Sequence, residues 1–112
     1  MTDASPENGV AVTPAWSERR LLTVIAEAVL EDRLLHDMHR WGVGGFTVVR
    51  AEGDPFGSRV GDLEGAFLRI ECVVGEQVAA TVLDGLSKRY FDRFKVVAYD
   101  HPVRVVRGAK FP

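Results

Sequence analysis

Two stretches of the chain carry apolar residues at the three- and four-residue spacing of an amphipathic helix. The first covers residues 28–41, and Gly42 follows it at a position where helices commonly end. The second covers residues 76–91, with Glu76 near its start and Lys88 near its end. This order of charges suits the helix dipole, so the pattern predicts two helices.

Four other segments have the apolar and β-branched composition of strands. They cover residues 19–27, 46–49, 66–74 and 94–106. The last segment contains Pro102, which lacks a backbone donor and is tolerated only at an edge, a bend or a bulge. It therefore predicts either one long strand or two short ones.

The third of these strands alternates regularly between two faces. Leu68, Ile70 and Cys72 share one face, because successive side chains of a strand point to opposite sides of the sheet. Phe67 and Arg69 fall on the other face together with Glu71. Both faces thus carry apolar side chains.

The order of elements is strand, helix, strand, long loop, strand, helix, strand. It predicts an α+β domain of the ferredoxin-like βαββαβ type, an antiparallel sheet with two helices on one face. The opposite face, which carries Phe67, then needs a cover. The simplest cover is the sheet of a neighbouring subunit, so we expect a closed homo-oligomer.

The 112 residues suit a single domain. Residues 1–17 are rich in Thr, Ser, Pro, Asn, Asp and Gly, which predicts a flexible N-terminal tail before a domain over residues 18–112. Residues 51–65 form a polar, glycine-rich loop that is longer than most hairpin connections. Loops of this length usually have a function.

Composition and charge exclude several classes of protein. The formal net charge is −2 with acids and bases interleaved, so no basic face favours nucleic acid. No uninterrupted apolar stretch is long enough to insert in a membrane, and the first sixteen residues do not resemble a secretory signal. Cys72 is the single cysteine and lies in an apolar run, so we expect it to be a small apolar side chain of the core. We therefore expect a cytoplasmic protein.

Candidate catalytic and metal-binding groups are few. His36 and His39 lie three positions apart on the first predicted helix and His101 lies in the last strand, but no third ligand stands near the pair. Ser58 follows a glycine, as the nucleophile of a strand-turn-helix elbow does. A nucleophile elbow is followed by a helix, whereas this loop is followed by a predicted strand, so Ser58 is not expected to be a nucleophile. We expect surface histidines, no metal site, no catalytic residue and no enzyme activity.

The triplet Gly57-Ser58-Arg59 lies in the long loop. Its amides and guanidinium are suited to holding a phosphate, because phosphate is bound by backbone N–H groups and charge-assisted hydrogen bonds. The same triplet is common in solvated loops. The residues by themselves leave both interpretations open.

Several segments together resemble the PII-like signalling proteins associated with bicarbonate uptake. The resemblance runs from about Arg20 to Gly108 and depends on the order and spacing of its motifs. The motifs are Leu-Leu-Thr-Val-Ile-Ala-Glu-Ala-Val-Leu at residues 21–30, Gly45-Phe46-Thr47-Val48, Gly57-Ser58-Arg59, Arg69-Ile70-Glu71 and Tyr90-Phe91.

This resemblance implies a homotrimer that binds an adenine nucleotide (AMP, cyclic AMP, ADP or ATP) in clefts between subunits. The long loop would be the family's T-loop, which responds to the ligand and binds a partner, typically a bicarbonate transporter or other inorganic-carbon protein. Its partner-binding residues would be Gly53, Asp54, Pro55 and Phe56. No other cofactor is implied, and bicarbonate is left open as a second ligand.

The resemblance also implies positions for the nucleotide. Thr47 would lie at the base of the cleft, and Gly57, Ser58 and Arg59 would face the phosphate. The adenine end would be lined by Phe94 to Val96 together with Gly108.

The loop departs from the family pattern. Relatives tend to carry Gly-Lys-Gly-Ser-Arg and a second arginine three residues later, whereas this chain lacks that lysine and that arginine and has Asp54 and Asp62. Fewer cations weaken polyphosphate binding. A monophosphate or cyclic nucleotide is therefore favoured over ATP.

Two alternatives remain open at this stage. One is a PII-like scaffold that has lost nucleotide binding, which the altered loop favours. The other is a ferredoxin-like oligomeric enzyme of small-molecule metabolism that uses Glu71, Arg69 or His39 in an inter-subunit cleft. No combination of nucleophile, base and orienting group supports the enzyme.

Overall fold

A computed structural model describes residues 15–57 and 66–112 of the chain. A short 3-10 turn at Ala28–Leu30 leads into the first helix, and a second one at Gly108–Lys110 follows the last strand. The helices and strands are β1 (Trp16–Glu27), α1 (Glu31–Arg40), β2 (Thr47–Ala51), β3 (Phe67–Val74), α2 (Glu76–Arg89) and β4 (Val96–Val106).

The four strands form one antiparallel sheet in the order β2-β3-β1-β4. The expected α+β fold with two helices is confirmed. β4 is one continuous strand at the edge of the sheet, and Pro102 pairs with Arg20 within it. The missing N–H of Pro102 is tolerated because an edge strand has one side without a partner strand. The long-strand alternative is therefore the correct one.

The core lies between the sheet and the two helices. Leu22, Val24 and Ala26 of β1 are fully buried, and Ile70 and Leu68 pair beside them on β3. Complete burial of a Val, Leu or Ile side chain contributes roughly 1.5–3 kcal/mol. The alternation of the sequence therefore assigned the inward face of β3 correctly.

Cys72 lies in this core and is not a reactive thiol. Its side chain is buried, and burial raises the pKa of Cys72 to about 12. Because the thiolate is the nucleophilic form, the thiol is unreactive at neutral pH. The expectation of a small core side chain is confirmed.

The two helices approach closely at Gly85. A Cβ atom on Gly85 would lie 2.5 Å from the indole ring of Trp41, so the absence of a side chain lets α2 pack against the end of α1. Trp41 packs against the core. Neither helix in residues 15–57 and 66–112 is long and apolar enough to span a membrane.

The second face of the sheet, called the open face below, carries no helix. Register places Ile25, Arg69 and Val97 in one row and Thr23, Glu71 and Tyr99 in the next. Tyr99 is 48% exposed although it is a large apolar side chain.

Candidate functional site

The first part of the long loop folds back over the open face. Gly53 and Gly57 have φ angles of 129° and 66°, a left-handed conformation that glycine adopts without strain. Between them, Phe56 packs edge-on against Phe67 with 5.4 Å between ring centroids. Phe67 is buried for this reason although it lies on the open face.

A cavity of about 280 Å³ lies at the base of this loop. Its lining combines apolar side chains with charged groups, and among the described lining residues Arg69 is the cation. The guanidinium Nε of Arg69 lies 3.7 Å from a carboxylate oxygen of Glu71, too far for a hydrogen bond. The lining residues are Ile25, Ala51, Glu52, Asp54, Pro55, Phe67 and Arg69.

A second cavity of about 310 Å³ lies at the opposite end of the sheet. The pairing of β2 with β3 ends at Thr47 and Glu71. Beyond this pair, the side of β3 at Val73 has no partner strand, and the turn at Gly44 and Gly45 lies across the gap. A Cβ on either glycine would meet nothing within 4 Å. The lining residues are Gly42, Gly44, Gly45, Val73, Val74, Lys110, Phe111 and Pro112.

The segment 108–112 forms one wall of the second cavity and is fixed to β1. Arg19 donates hydrogen bonds to the carbonyl oxygens of Gly108 at 2.9 Å and Phe111 at 2.7 Å. The amide of Gly75 donates to the carbonyl of Pro112 at 3.0 Å. A Cβ on Gly108 would lie 2.5 Å from the side chain of Ser17, so this close contact requires glycine.

The residues expected at the nucleotide lie in separate places. Thr47 is exposed at the start of β2, and Gly57 is exposed at the end of the first described range. Ser58 and Arg59 lie outside the described residues. Val96 pairs with Ala26 at the start of β4, whereas Gly108 is buried beyond its other end.

Phe94 and Val96 direct their side chains toward the helices. Both pack against the core, so the groups they offer to a ligand are those of the main chain. β4 is an edge strand, and an edge strand presents unpaired N–H and C=O groups on its outer side.

One chain does not bring the predicted residues together. β2 and β4 are the two opposite edges of the sheet, and three strand spacings separate them by roughly 14 Å. Thr47 on one edge and Val96 on the other therefore cannot line the same cleft within a subunit.

The groups of the enzyme alternative are also apart. Arg69 and Glu71 lie on the open face, whereas His39 lies on α1 on the other side of the sheet, where its Nδ1 is 3.1 Å from the carbonyl of Val43. His36 and His101 are exposed. In the described part of the chain, no group of three or more metal-ligating side chains occurs.

Sequence reasoning missed some residues of the cavities. Nothing in the sequence marked Val73, Lys110 or Phe111, which line the second cavity. Lys110 and Phe111 are placed there by Arg19, which holds their segment through the carbonyl oxygens of Gly108 and Phe111, 89 and 92 residues away in sequence. Such a contact has no signature in local spacing.

Comparison with known families decides the relationship. The model of the family described as nitrogen regulatory protein P-II matches residues 19–110. The chain belongs to the P-II family. The resemblance carried by the sequence motifs is thereby confirmed, and the sheet with two helices is the P-II form of the ferredoxin-like fold.

Solved structures of P-II relatives cover nearly the whole domain. A crystal structure from Thermus thermophilus, described as a PII-like signalling protein, is 39% identical with a TM-score of 0.76, covering 87% of this chain and 98% of that chain. CPII from Thiomonas intermedia K12 bound to ADP, AMP and acetate is 26% identical with a TM-score of 0.76, covering 86% and 96% of the two chains.

A further CPII structure from Thiomonas intermedia K12 is bound to ADP, AMP and bicarbonate. It is 25% identical with a TM-score of 0.68, and the alignment covers 86% of this chain and 99% of that chain. Among curated proteins, no sequence matched the chain. The P-II relatives thus give this chain a PII-like signalling fold.

Proposed function

We propose that this P-II chain is a signalling protein that binds an adenine nucleotide between the subunits of a homotrimer. In this proposal, nucleotide occupancy changes the loop at residues 51–65, and the loop then binds or releases a protein of inorganic-carbon uptake. CPII relatives bound to ADP and AMP support the nucleotide.

The observation that carries the proposal is that residues expected at the nucleotide lie on two opposite edges of the sheet. Thr47 lies on the β2 edge and the main chain of Val96 lies on the β4 edge. In a closed ring of subunits, each interface joins two different surfaces of the chain. Placing the β2 edge of one subunit beside the β4 edge of the next completes a cleft that each subunit lacks.

The open face supports assembly. It carries the exposed Tyr99 beside the half-buried Ile25 and Val97 on neighbouring strands, and no helix covers them. Apolar side chains that lie side by side on a sheet favour burial against another surface. Each square ångström of apolar surface removed from water stabilises the assembly by roughly 25 cal/mol. A trimer with the open faces inward satisfies this requirement.

The adenine end is proposed to lie at the main chain of Phe94 to Val96 on the β4 edge of the neighbouring subunit. An edge strand has unpaired N–H and C=O groups on its outer side, and these can match the donor and acceptor positions of a purine. Val96 pairs with Ala26, which pairs with Leu68, so this part of β4 lies at the same end of the sheet as the base of the long loop.

The charges at the loop base favour a nucleotide with few phosphates. Glu52 and Asp54 line the cavity there together with Arg69. Carboxylates at this position repel a polyphosphate more strongly than a monophosphate, because the Coulomb energy grows with the ligand charge. AMP or cyclic AMP is therefore favoured over ATP, and Arg59 supplies the phosphate contact in this proposal.

The loop residues Gly53, Asp54, Pro55 and Phe56 are proposed to contact the partner. Phe56 now packs against Phe67, and its release would expose an aromatic side chain for binding. A ligand shifts such an equilibrium only through different affinities for the two loop states. Bicarbonate is a candidate for a second ligand because a CPII relative binds it.

Replacing Arg59 with alanine is expected to abolish the protection of the loop that a nucleotide induces. The guanidinium is the group proposed to tie the loop to the phosphate, so the loop amides should exchange equally fast with and without ligand. Hydrogen–deuterium exchange of residues 51–65 with and without AMP measures this effect. Arg89→Ala, at the exposed end of α2, is the matched control; protection that persists in Arg59→Ala contradicts the assignment.

A further inference from the structure

The connection between α2 and β4, residues 90–95, is organised by one side chain. Tyr90 stands at its start and is fully buried. The segment leads directly into the main chain of Phe94 to Val96, which the proposed function places at the nucleotide. Its conformation therefore bears on the binding site.

The hydroxyl of Tyr90 is tied to α1. It donates a hydrogen bond of 2.6 Å to a carboxylate oxygen of Asp37, which is buried and whose other oxygen is 3.2 Å from Arg40. Burial, together with the hydrogen bond to Asp37, raises the pKa of Tyr90 to about 12. The hydroxyl thus remains a donor at neutral pH, and charge-assisted hydrogen bonds are stronger than neutral ones.

The backbone and ring of Tyr90 shape the connection itself. Its carbonyl accepts hydrogen bonds from the amides of Arg93 at 3.0 Å and Phe94 at 2.9 Å. Its ring packs against Phe94 with 5.8 Å between centroids. The guanidinium of Arg33 lies 5.3 Å from the Tyr90 ring and 5.2 Å from the Phe94 ring, within the range of cation–π attraction.

The far end of the connection is held as well. The amide of Lys95 lies 3.4 Å from a carboxylate oxygen of Glu27, at the end of β1. The connection is thus attached to α1 through Asp37 and Arg33 and to β1 through Glu27. These attachments come from parts of the chain that are far apart in sequence.

We infer that Tyr90, held by Asp37, is a positioning residue that fixes the 90–95 connection so that the β4 edge meets the nucleotide. This inference rests on the proposed function. The hydroxyl fixes the ring, the ring fixes Phe94, and the carbonyl fixes the amides of Arg93 and Phe94. The carbonyl is a main-chain group that any residue would supply, so the contribution of the tyrosine side chain is the hydrogen bond to Asp37 and the ring contact with Phe94.

Tyr90→Phe tests the inference because it removes the hydroxyl and keeps the ring. We expect the dissociation constant for AMP, measured by calorimetry well below the melting temperature, to rise by about three- to tenfold, the effect of one positioning hydrogen bond. We also expect faster hydrogen exchange at the amides of Arg93 and Phe94.

Val82→Ala is the matched control. Val82 is fully buried earlier in α2, so its truncation lowers stability while the hydroxyl of Tyr90 and its hydrogen bond to Asp37 stay in place. At equal loss of thermal stability, Val82→Ala should leave both the AMP affinity and the exchange of the two amides unchanged. Equal affinity and equal exchange in the two variants would overturn the inference.

The same experiment separates this inference from the proposed function. If the wild-type chain binds AMP and Tyr90→Phe binds it equally well, the inference fails while the proposed function stands. If the wild-type chain binds none of AMP, cyclic AMP, ADP and ATP, the proposed function fails and the connection has no nucleotide to meet. The amide exchange then still decides whether Tyr90 fixes the connection.

Discussion

Replacing Tyr99 with glutamate is expected to convert the proposed trimer into single subunits. Tyr99 is 48% exposed in the isolated chain, so glutamate fits without disturbing the core. In the trimer the same position is covered, and burying an unpaired carboxylate costs several kcal/mol. A three-fold ring repeats this cost in each subunit, and the assembly should dissociate.

Light scattering after size-exclusion chromatography measures the mass directly. We expect three times the 12.4 kDa of one chain for the wild type and a single chain for Tyr99→Glu. Val29→Glu is the control, because Val29 is 86% exposed on the turn before α1 and lies off the open face. A trimeric Tyr99→Glu variant would show that the open face is not the interface.

Replacing Asp37 with alanine is expected to lower the free energy of unfolding by about 2–4 kcal/mol, since a buried hydroxyl is left without its charged partner. The affected hydroxyl is that of Tyr90, 2.6 Å from Asp37. Urea denaturation followed by circular dichroism measures this change. Subunit concentration must be equal for all variants, because assembly adds to apparent stability.

Asp84→Ala is the control for this measurement. Asp84 lies on the exposed side of α2 in a 3.0 Å ion pair with Lys88. Both substitutions replace a helical aspartate with alanine and so change helix propensity equally. The difference between their losses in the free energy of unfolding therefore reports the interactions of the buried Asp37 carboxylate. An exposed pair of this kind contributes about 0.3–0.5 kcal/mol. A loss of similar size in Asp37→Ala would contradict the role assigned to the buried carboxylate.

The fold could be predicted from the sequence because its elements depend on local patterns. Alternation over residues 67–72 assigned the faces of β3, and the helical spacing located both helices. Pro102 was ambiguous, since a proline permits either an edge strand or a break. The sheet order resolved it by placing β4 at an edge.

The candidate site could be predicted only in part. Thr47 and Val96 fall on opposite edges of the sheet, and no pattern within one sequence shows how two copies meet. The link between Tyr90 and Asp37 spans 53 residues. Side chains so far apart in sequence are joined by the packing of the helices, which local spacing does not encode.

The family resemblance supplied expectations that spacing could not, namely a candidate nucleotide ligand and a proposed role for the long loop. It did not supply the contacts of this chain. Arg19, which fixes the segment beside the second cavity, stood out in no motif. The structure therefore adds contacts that no motif marked, while the relatives indicate candidate ligands.

Calorimetric titration of the purified chain with AMP, cyclic AMP, ADP and ATP tests the central claim most directly. The account predicts saturable binding with one nucleotide per subunit, and tighter binding of AMP or cyclic AMP than of ATP. Repeating each titration with bicarbonate tests the second ligand. Absence of binding heat from every nucleotide, with a folded trimer in the cell, would contradict the account and favour a scaffold that has lost its ligand.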